Sequence, residues 1–212
     1  MAHAPRMAVL TDGGLAGLAA MTAARDAAVL SQPGGAAAGG FAYPGVMAFP
    51  PELWSDGYRM AAISRQAEAL TLTMMPRPEV TPVAGPGSAS EWETACLLST
   101  AFAAARAGAS RVVWPATGGI GDQIDIDRAC EIQDKAILVS RLVSLDASNH
   151  GQPGFTIETP YADLTDDRLA DLALDLGVRP ELCWWFGPGA AMSGDEAQRW
   201  TRALARAGVA SR

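Results

Sequence analysis

Two short stretches carry residue types at spacings suited to chemistry. In the first, Thr11-Asp12-Gly13-Gly14-Leu15-Ala16-Gly17 follows an apolar run and precedes a helical pattern. Glycines at a strand-to-helix turn let the backbone close on an anion, and the free N–H groups of the helix start point at it. The turn is neither a G-x-G-x-x-G fingerprint nor a Walker A loop, which needs a Lys and a closing Ser or Thr. The same glycines also suit a tight turn that binds nothing and needs their φ freedom. In the second stretch, residues 121–128, Asp122, Asp125 and Asp127 lie close together ahead of Arg128. Three such carboxylates suit a divalent cation with water completing its shell. They equally suit a solvated acidic loop in which Asp125 or Asp127 caps the next helix and Arg128 pairs with the acids.

Other reactive side chains are sparse. Cys96, Cys130 and Cys183 are far apart and form no C-x-x-C pair. They support neither a zinc site nor a disulfide framework, and read as buried reduced thiols. His3 lies near the chain start and His150 in a turn signal, neither with an evident orienting partner for acid–base work. Trp184-Trp185-Phe186 is the densest aromatic patch. It suits a core cap, a subunit contact or a platform for a purine.

The elements that must position these residues alternate in type. Apolar runs predict strands at 7–11, 27–31, 71–75, 111–115 and 155–159. Helical spacing predicts helices at 15–25, 57–70, 91–108, 126–145, 165–177 and 194–207. Ser90 and Glu93 read as a capping box, and Gly108 and Gly177 as helix stops. Residues 32–56 break the pattern with paired glycines, prolines and aromatics, and read as an excursion within a single domain spanning 1–212. The order predicts an α/β fold, with a mostly parallel five-stranded sheet and helices on both faces. Ligands of such sheets bind at the carboxyl ends of the strands. That rim holds 12–17, 31 onward, 117–127 and 160–165.

Composition narrows the function classes. The 212-residue chain is 49% hydrophobic and carries a net charge of −7, with Lys135 as its sole lysine. No basic run exists to neutralise phosphates, which argues against nucleic acid and against anionic membranes. Residues 1–6 lack the apolar core of a signal peptide, and no apolar stretch is long enough to span a bilayer, so a cytoplasmic location is expected.

Residues 9–17, VLTDGGLAG, resemble the SGGxDS loop that follows the first strand of N-type PP-loop ATP pyrophosphatases. Among these, the 7-cyano-7-deazaguanine synthases are the most similar. Residues 158–165 are similar to that family's "TPL…LTK" segment, 169–178 to its following helix and "LGV" stop, and 181–185 to its "TWSCY" stretch. The helix at 91–108 and the strand at 112–113 fall in register. Asp127, Arg128 and Glu131 match an Asp/Arg/Glu cluster loosely. The resemblance covers most of the chain outside 32–56. It implies a Rossmann-like three-layer sandwich of the adenine nucleotide alpha hydrolase kind, with ATP and Mg²⁺ as ligands.

The departures fall where the chemistry belongs. Asp12 stands at the loop's leading Ser, Ala16 at its Asp and Gly17 at its final Ser. Only Cys183 lies near the family's zinc-binding cysteine cluster, so zinc is not expected. Asp166 or Asp167 replaces a Lys. The resemblance therefore implies a scaffold that outlived its reaction, binding an adenine nucleotide weakly or serving as a scaffold in a homodimer or with a partner subunit. In that reading Asp12, Gly13, Gly14 and Gly17 face the phosphates, and the adenine lies near the end of the second strand. A second reading is an active Mg²⁺-dependent ATP-using synthase on a deazapurine-like or other carboxylate. It would release AMP and pyrophosphate, with Asp12 and Asp122, Asp125 or Asp127 holding the metal. A third is an interaction module presenting the 32–56 excursion and Trp184–Phe186.

Overall fold

The computed structural model describes residues 7–30, 44–50, 53, 55–78, 88–148, 154–186 and 194–208. At its centre is β1 (Met7–Thr11), whose Ala8, Val9 and Leu10 are fully buried. A strand covered on both faces has no polar alternation, so it reads as a continuous apolar run. β2 (Gly45–Ala48) and β3 (Thr73–Met74) extend the sheet on one side of β1, and β4 (Arg111–Val113) and β7 (Thr156–Glu158) on the other. The order is β3-β2-β1-β4-β7 and every pairing is parallel, giving the expected α/β, Rossmann-like three-layer sandwich.

Successive strand residues face opposite layers. Val9, Val46 and Val113 join one core with α1 (Leu15–Leu30), α2 (Gly57–Ala69), α5 (Asp166–Asp175) and α6 (Gly194–Arg206). Ala8, Leu10, Met47, Val112 and Ile157 join the other with α3 (Ala89–Arg106) and α4 (Ile126–Ser148). Residues Gly119–Ile120 (β5) and Gln123–Ile124 (β6) form a small antiparallel hairpin ahead of α4.

Three expectations are corrected. Residues 27–30 continue α1 instead of forming a strand. No breaker follows Asp26, alanine favours helix, and Leu30 is 86% exposed, so a strand there would have nothing to cover it. The second strand is Gly45–Ala48, within the stretch read as an excursion; its four residues are all buried beside β1. The capping box uses Ser88 and Glu91, not Ser90 and Glu93. Both pairs satisfy S-x-x-E, and the upstream pair fixes the helix start.

That shift leaves Ser90 and Glu93 inside α3, facing α4. Arg128 donates to Glu93 at 2.9 and 2.5 Å and to Glu131 at 2.9 Å. The nearly buried Lys135 donates to Glu93 at 2.8 Å and to the Ser90 carbonyl at 3.1 Å, and pairs with Glu131 at 2.7 Å. The Ser90 hydroxyl also donates to Glu131. Hydrogen bonds from Lys135, Ser90 and Arg128 hold the Glu131 carboxyl down to about 2. Burial pushes Glu93 up, but Arg128 and Lys135 outweigh it and its value is lowered.

A depressed carboxylate stabilises the fold above its unfolded value and loses that contribution as pH falls through its folded value. Lys135→Met should therefore cost about 2 kcal/mol at pH 7 by urea unfolding, because it strips a partner from half-buried acids. The difference from wild type should shrink as pH falls from about 4.5 to about 2.

Candidate functional site

The turn after β1 is closed by its own side chains. Thr11 Oγ1 accepts the Gly13 N–H at 3.0 Å, and Asp12 Oδ1 accepts the Gly14 N–H at 2.8 Å. Gly13 has φ +81°, a left-handed conformation costly for a residue with a Cβ. Its carbonyl accepts from the buried Gln66 Nε2 at 2.8 Å and from the Trp184 N–H at 3.1 Å. Gln66 also donates to the Leu182 carbonyl at 3.2 Å. The turn is thus anchored by α2 and by the segment around Trp184. Gly17 serves close approach: a Cβ there would lie 2.1 Å from Thr11 Oγ1.

Above the turn lies a cleft of about 260 Å³ at the carboxyl ends of β1, β2 and β4. The strand order reverses between β1 and β4, so the cleft sits at the switch point where open α/β sheets bind ligands. Asp12 and the start of α1, from Gly14 to Gly17, form its floor. The first-turn amides of Leu15, Ala16 and Gly17 have no intrahelical acceptor. Phe49 and Pro50 after β2, and Trp114 to Thr117 after β4, make two walls. Phe49 and Trp114 meet edge to face with centroids 6.1 Å apart. Glu196, Arg199 and Trp200 of α6 also line it, as do Glu93 and Arg128.

Both arginines at the cleft are engaged by protein acids. Arg199 binds Asp166, which is 1% exposed, at 2.8 and 2.5 Å, and donates to the Gly119 carbonyl at 2.9 Å. The Asp166 hydrogen bond raises Arg199 against the opposing effect of burial. Asp166 also accepts the Gly121 N–H at 2.7 Å, so one carboxylate ties α5, α6 and the β5–β6 hairpin together. Arg128 is held by Glu93. Asp12 has a weaker partner: Arg59 lies 3.9 Å away, stacked 3.9 Å over Trp184 and 3.5 Å from Asp56. Desolvation raises the Asp12 carboxyl above its ordinary value, and the Gly14 N–H and Arg59 only partly offset it.

The acidic stretch at 121–128 does not gather around a point. Asp122 sits at the hairpin tip beside Gly121, whose φ is +65°. Asp125 caps α4 by accepting the Arg128 N–H at 3.0 Å, and Asp127 lies in the first turn. Among the described residues no three His, Cys, Asp or Glu side chains form a group able to hold a metal ion. Cys96 and Cys183 are buried, whereas Cys130 is exposed on α4. Burial, with Asp12 and Glu181 nearby, pushes the Cys183 thiol well up, so it is not a ready nucleophile. Trp184 and Trp185 are buried in the core, and Phe186 is half exposed. His3, His150 and residues 31–43 lie outside the described residues.

Sequence reasoning found the turn but missed Phe49, Trp114, Glu196, Arg199 and Trp200. Phe49 and Trp114 flank short apolar runs, and Glu196, Arg199 and Trp200 lie within α6; only the tertiary fold brings them to one rim. No family model matches the chain, and no curated protein matches it. Among the described residues no helix is long and apolar enough to cross a membrane.

Two outcomes are expected. Gly17→Ala forces a methyl into Thr11 and should lower unfolding stability by about 2–3 kcal/mol. An acid whose folded value is raised penalises the fold once ionised, and the penalty disappears below its unfolded value of 3.8. Asp12→Asn keeps the acceptor for Gly14, so it should raise the Tm at pH 7, with the gain vanishing below about pH 4.

Proposed function

We propose that this chain is a diverged relative of the PP-loop ATP pyrophosphatases, nearest in pattern to the 7-cyano-7-deazaguanine synthases. In this reading it binds an adenine nucleotide weakly in the switch-point cleft and does not cleave it. The observation that carries this reading is the Asp12 carboxylate on the Gly14 N–H, the place a phosphate oxygen would take at such a turn. Thr11 consumes the neighbouring Gly13 N–H in the same way.

Magnesium triphosphate fits this donor set poorly. A phosphate charge at about 4 Å from Asp12 meets a repulsion of roughly 4 kcal/mol at an effective dielectric near 20. Arg128 and Arg199, which would offset it, are already paired with acids. The acids at 122, 125 and 127 do not converge on a cation. What supports a nucleotide at all is the position of the cleft, the first-turn amides of α1, which lack an intrahelical acceptor, and the apolar wall of Phe49 and Pro50. The base lies toward that wall, at the end of β2, and a monophosphate is tolerated better than a triphosphate.

Thermal unfolding with AMP, ATP and Mg²⁺, read beside an assay for released pyrophosphate, tests this reading. At about ten times the dissociation constant, AMP should stabilise by about 1.4 kcal/mol, a Tm rise of about 3–6 °C. ATP should shift less, and no pyrophosphate should appear. Asp12→Ser should tighten ATP binding at least about tenfold by removing the repulsion. No shift with any nucleotide contradicts the binding site, and Mg²⁺-dependent release of pyrophosphate contradicts the loss of chemistry.

A further inference from the structure

Helix α4 is apolar on two sides. Its inner side buries Ala129, Ile132, Ala136, Val139 and Val143. Its outer side carries Ile126, Ile137, Leu138, Leu142 and Leu145, which are 71%, 56%, 60%, 50% and 66% exposed. A surface helix needs one apolar stripe to dock on its own core, and the second packs on no core cluster among the described residues. The exposed Ile120 and Ile124 of the hairpin stand next to the N-terminal end of α4 and widen the patch.

We infer that the outer face of α4 is the interface of a two-fold homodimer, with α4 packed antiparallel on its counterpart. Three observations select a second copy as the occupant. The first is size. A fully exposed Leu or Ile side chain offers roughly 100 Å², so these residues together present on the order of 400 Å² of apolar surface. That nearly equals the apolar share, about 56%, of the roughly 800 Å² that each partner buries in a standard interface. The second is charge. Asp134 and Arg141 lie exposed among these apolar residues, and neither forms an ion pair among the described residues. They are on one face, two turns apart. When antiparallel helices meet at a two-fold axis beside Ile137 and Leu138, Ile137 faces the partner's Leu138. Asp134 then faces the partner's Arg141, and symmetry makes that ion pair twice. The third is what the sheet edge excludes. The Ile157 N–H of β7 donates to Ser140 Oγ at 2.8 Å, and the Phe155 N–H to Ser144 Oγ at 2.9 Å. These α4 hydroxyls occupy donors that strand addition at the β7 edge would need, leaving the helix face itself as the surface to be met.

The interface is separate from the cleft, so each is tested independently. Sedimentation equilibrium of the full chain should give twice its 22.0 kDa mass at micromolar concentration. Leu138→Glu with Leu142→Glu should weaken association at least about a hundredfold while keeping cooperative unfolding, because both side chains are exposed in the protomer. Asp134→Arg should weaken it at least about tenfold, and adding Arg141→Asp should restore it. A wild type that stays at single-chain mass at about 100 µM overturns the proposal. So does a dimer unmoved by the Glu pair, and so does a charge swap that fails to restore association. If the Glu pair does not fold, the charge swap alone decides.

Discussion

One carboxylate, that of Asp12, sets the character of the site. It hangs from the end of the central strand β1, folds back onto the Gly14 N–H and stands at the positive end of α1. A negative group is favoured there by the helix dipole. The protein therefore supplies from within the charge that such a turn otherwise takes from a ligand. The position is not relaxed: desolvation raises the acid, and its nearest cation, Arg59, is shared with Asp56 and Trp184. The backbone holds it regardless, since the Gly13 carbonyl is gripped by Gln66 of α2 and by the Trp184 backbone N–H.

The rest of the cleft follows the same pattern of internal satisfaction. Arg128 serves the junction between α3 and α4, where Glu93, Glu131 and Lys135 complete a network. Arg199 serves the junction of α5, α6 and the hairpin through the buried Asp166. Replacing Asp166 would strand Arg199 beside the cleft and release Gly121, so this acid is a structural element of the site wall. A pocket whose arginines are committed to packing has little left to stabilise charge moving between phosphates.

The fold was legible because its signals are local. Continuous apolar runs at 7–11 and 111–115, helical spacing at 57–70 and the Thr165 cap all survive in the structure. Errors arose where local signals were ambiguous. The alanines after Asp26 suit helix and strand alike on hydropathy; alanine's helix propensity and the exposure of Leu30 decide for helix. Gly45–Ala48 is four residues long among glycines and prolines, so its partner β1, not its own sequence, makes it a strand. S-x-x-E occurs twice within six residues. The turn at 11–17 was visible from its glycines, but the Asp12–Gly14 contact depends on a backbone angle that spacing does not encode. Arg199 was invisible because its acid lies 33 positions away.

The central claim is that Asp12 occupies the anion seat of the turn. It is tested most directly by following the Gly14 amide nitrogen by NMR from pH 8 to 3, with and without millimolar inorganic pyrophosphate. The account predicts one titration with a midpoint above the ordinary aspartate value of 3.8. It also predicts Gly13 and Gly14 resonances that pyrophosphate leaves in place at neutral pH. A Gly14 amide that ignores the Asp12 titration, or that shifts strongly with pyrophosphate at pH 7, would show the seat open to ligand and contradict the account.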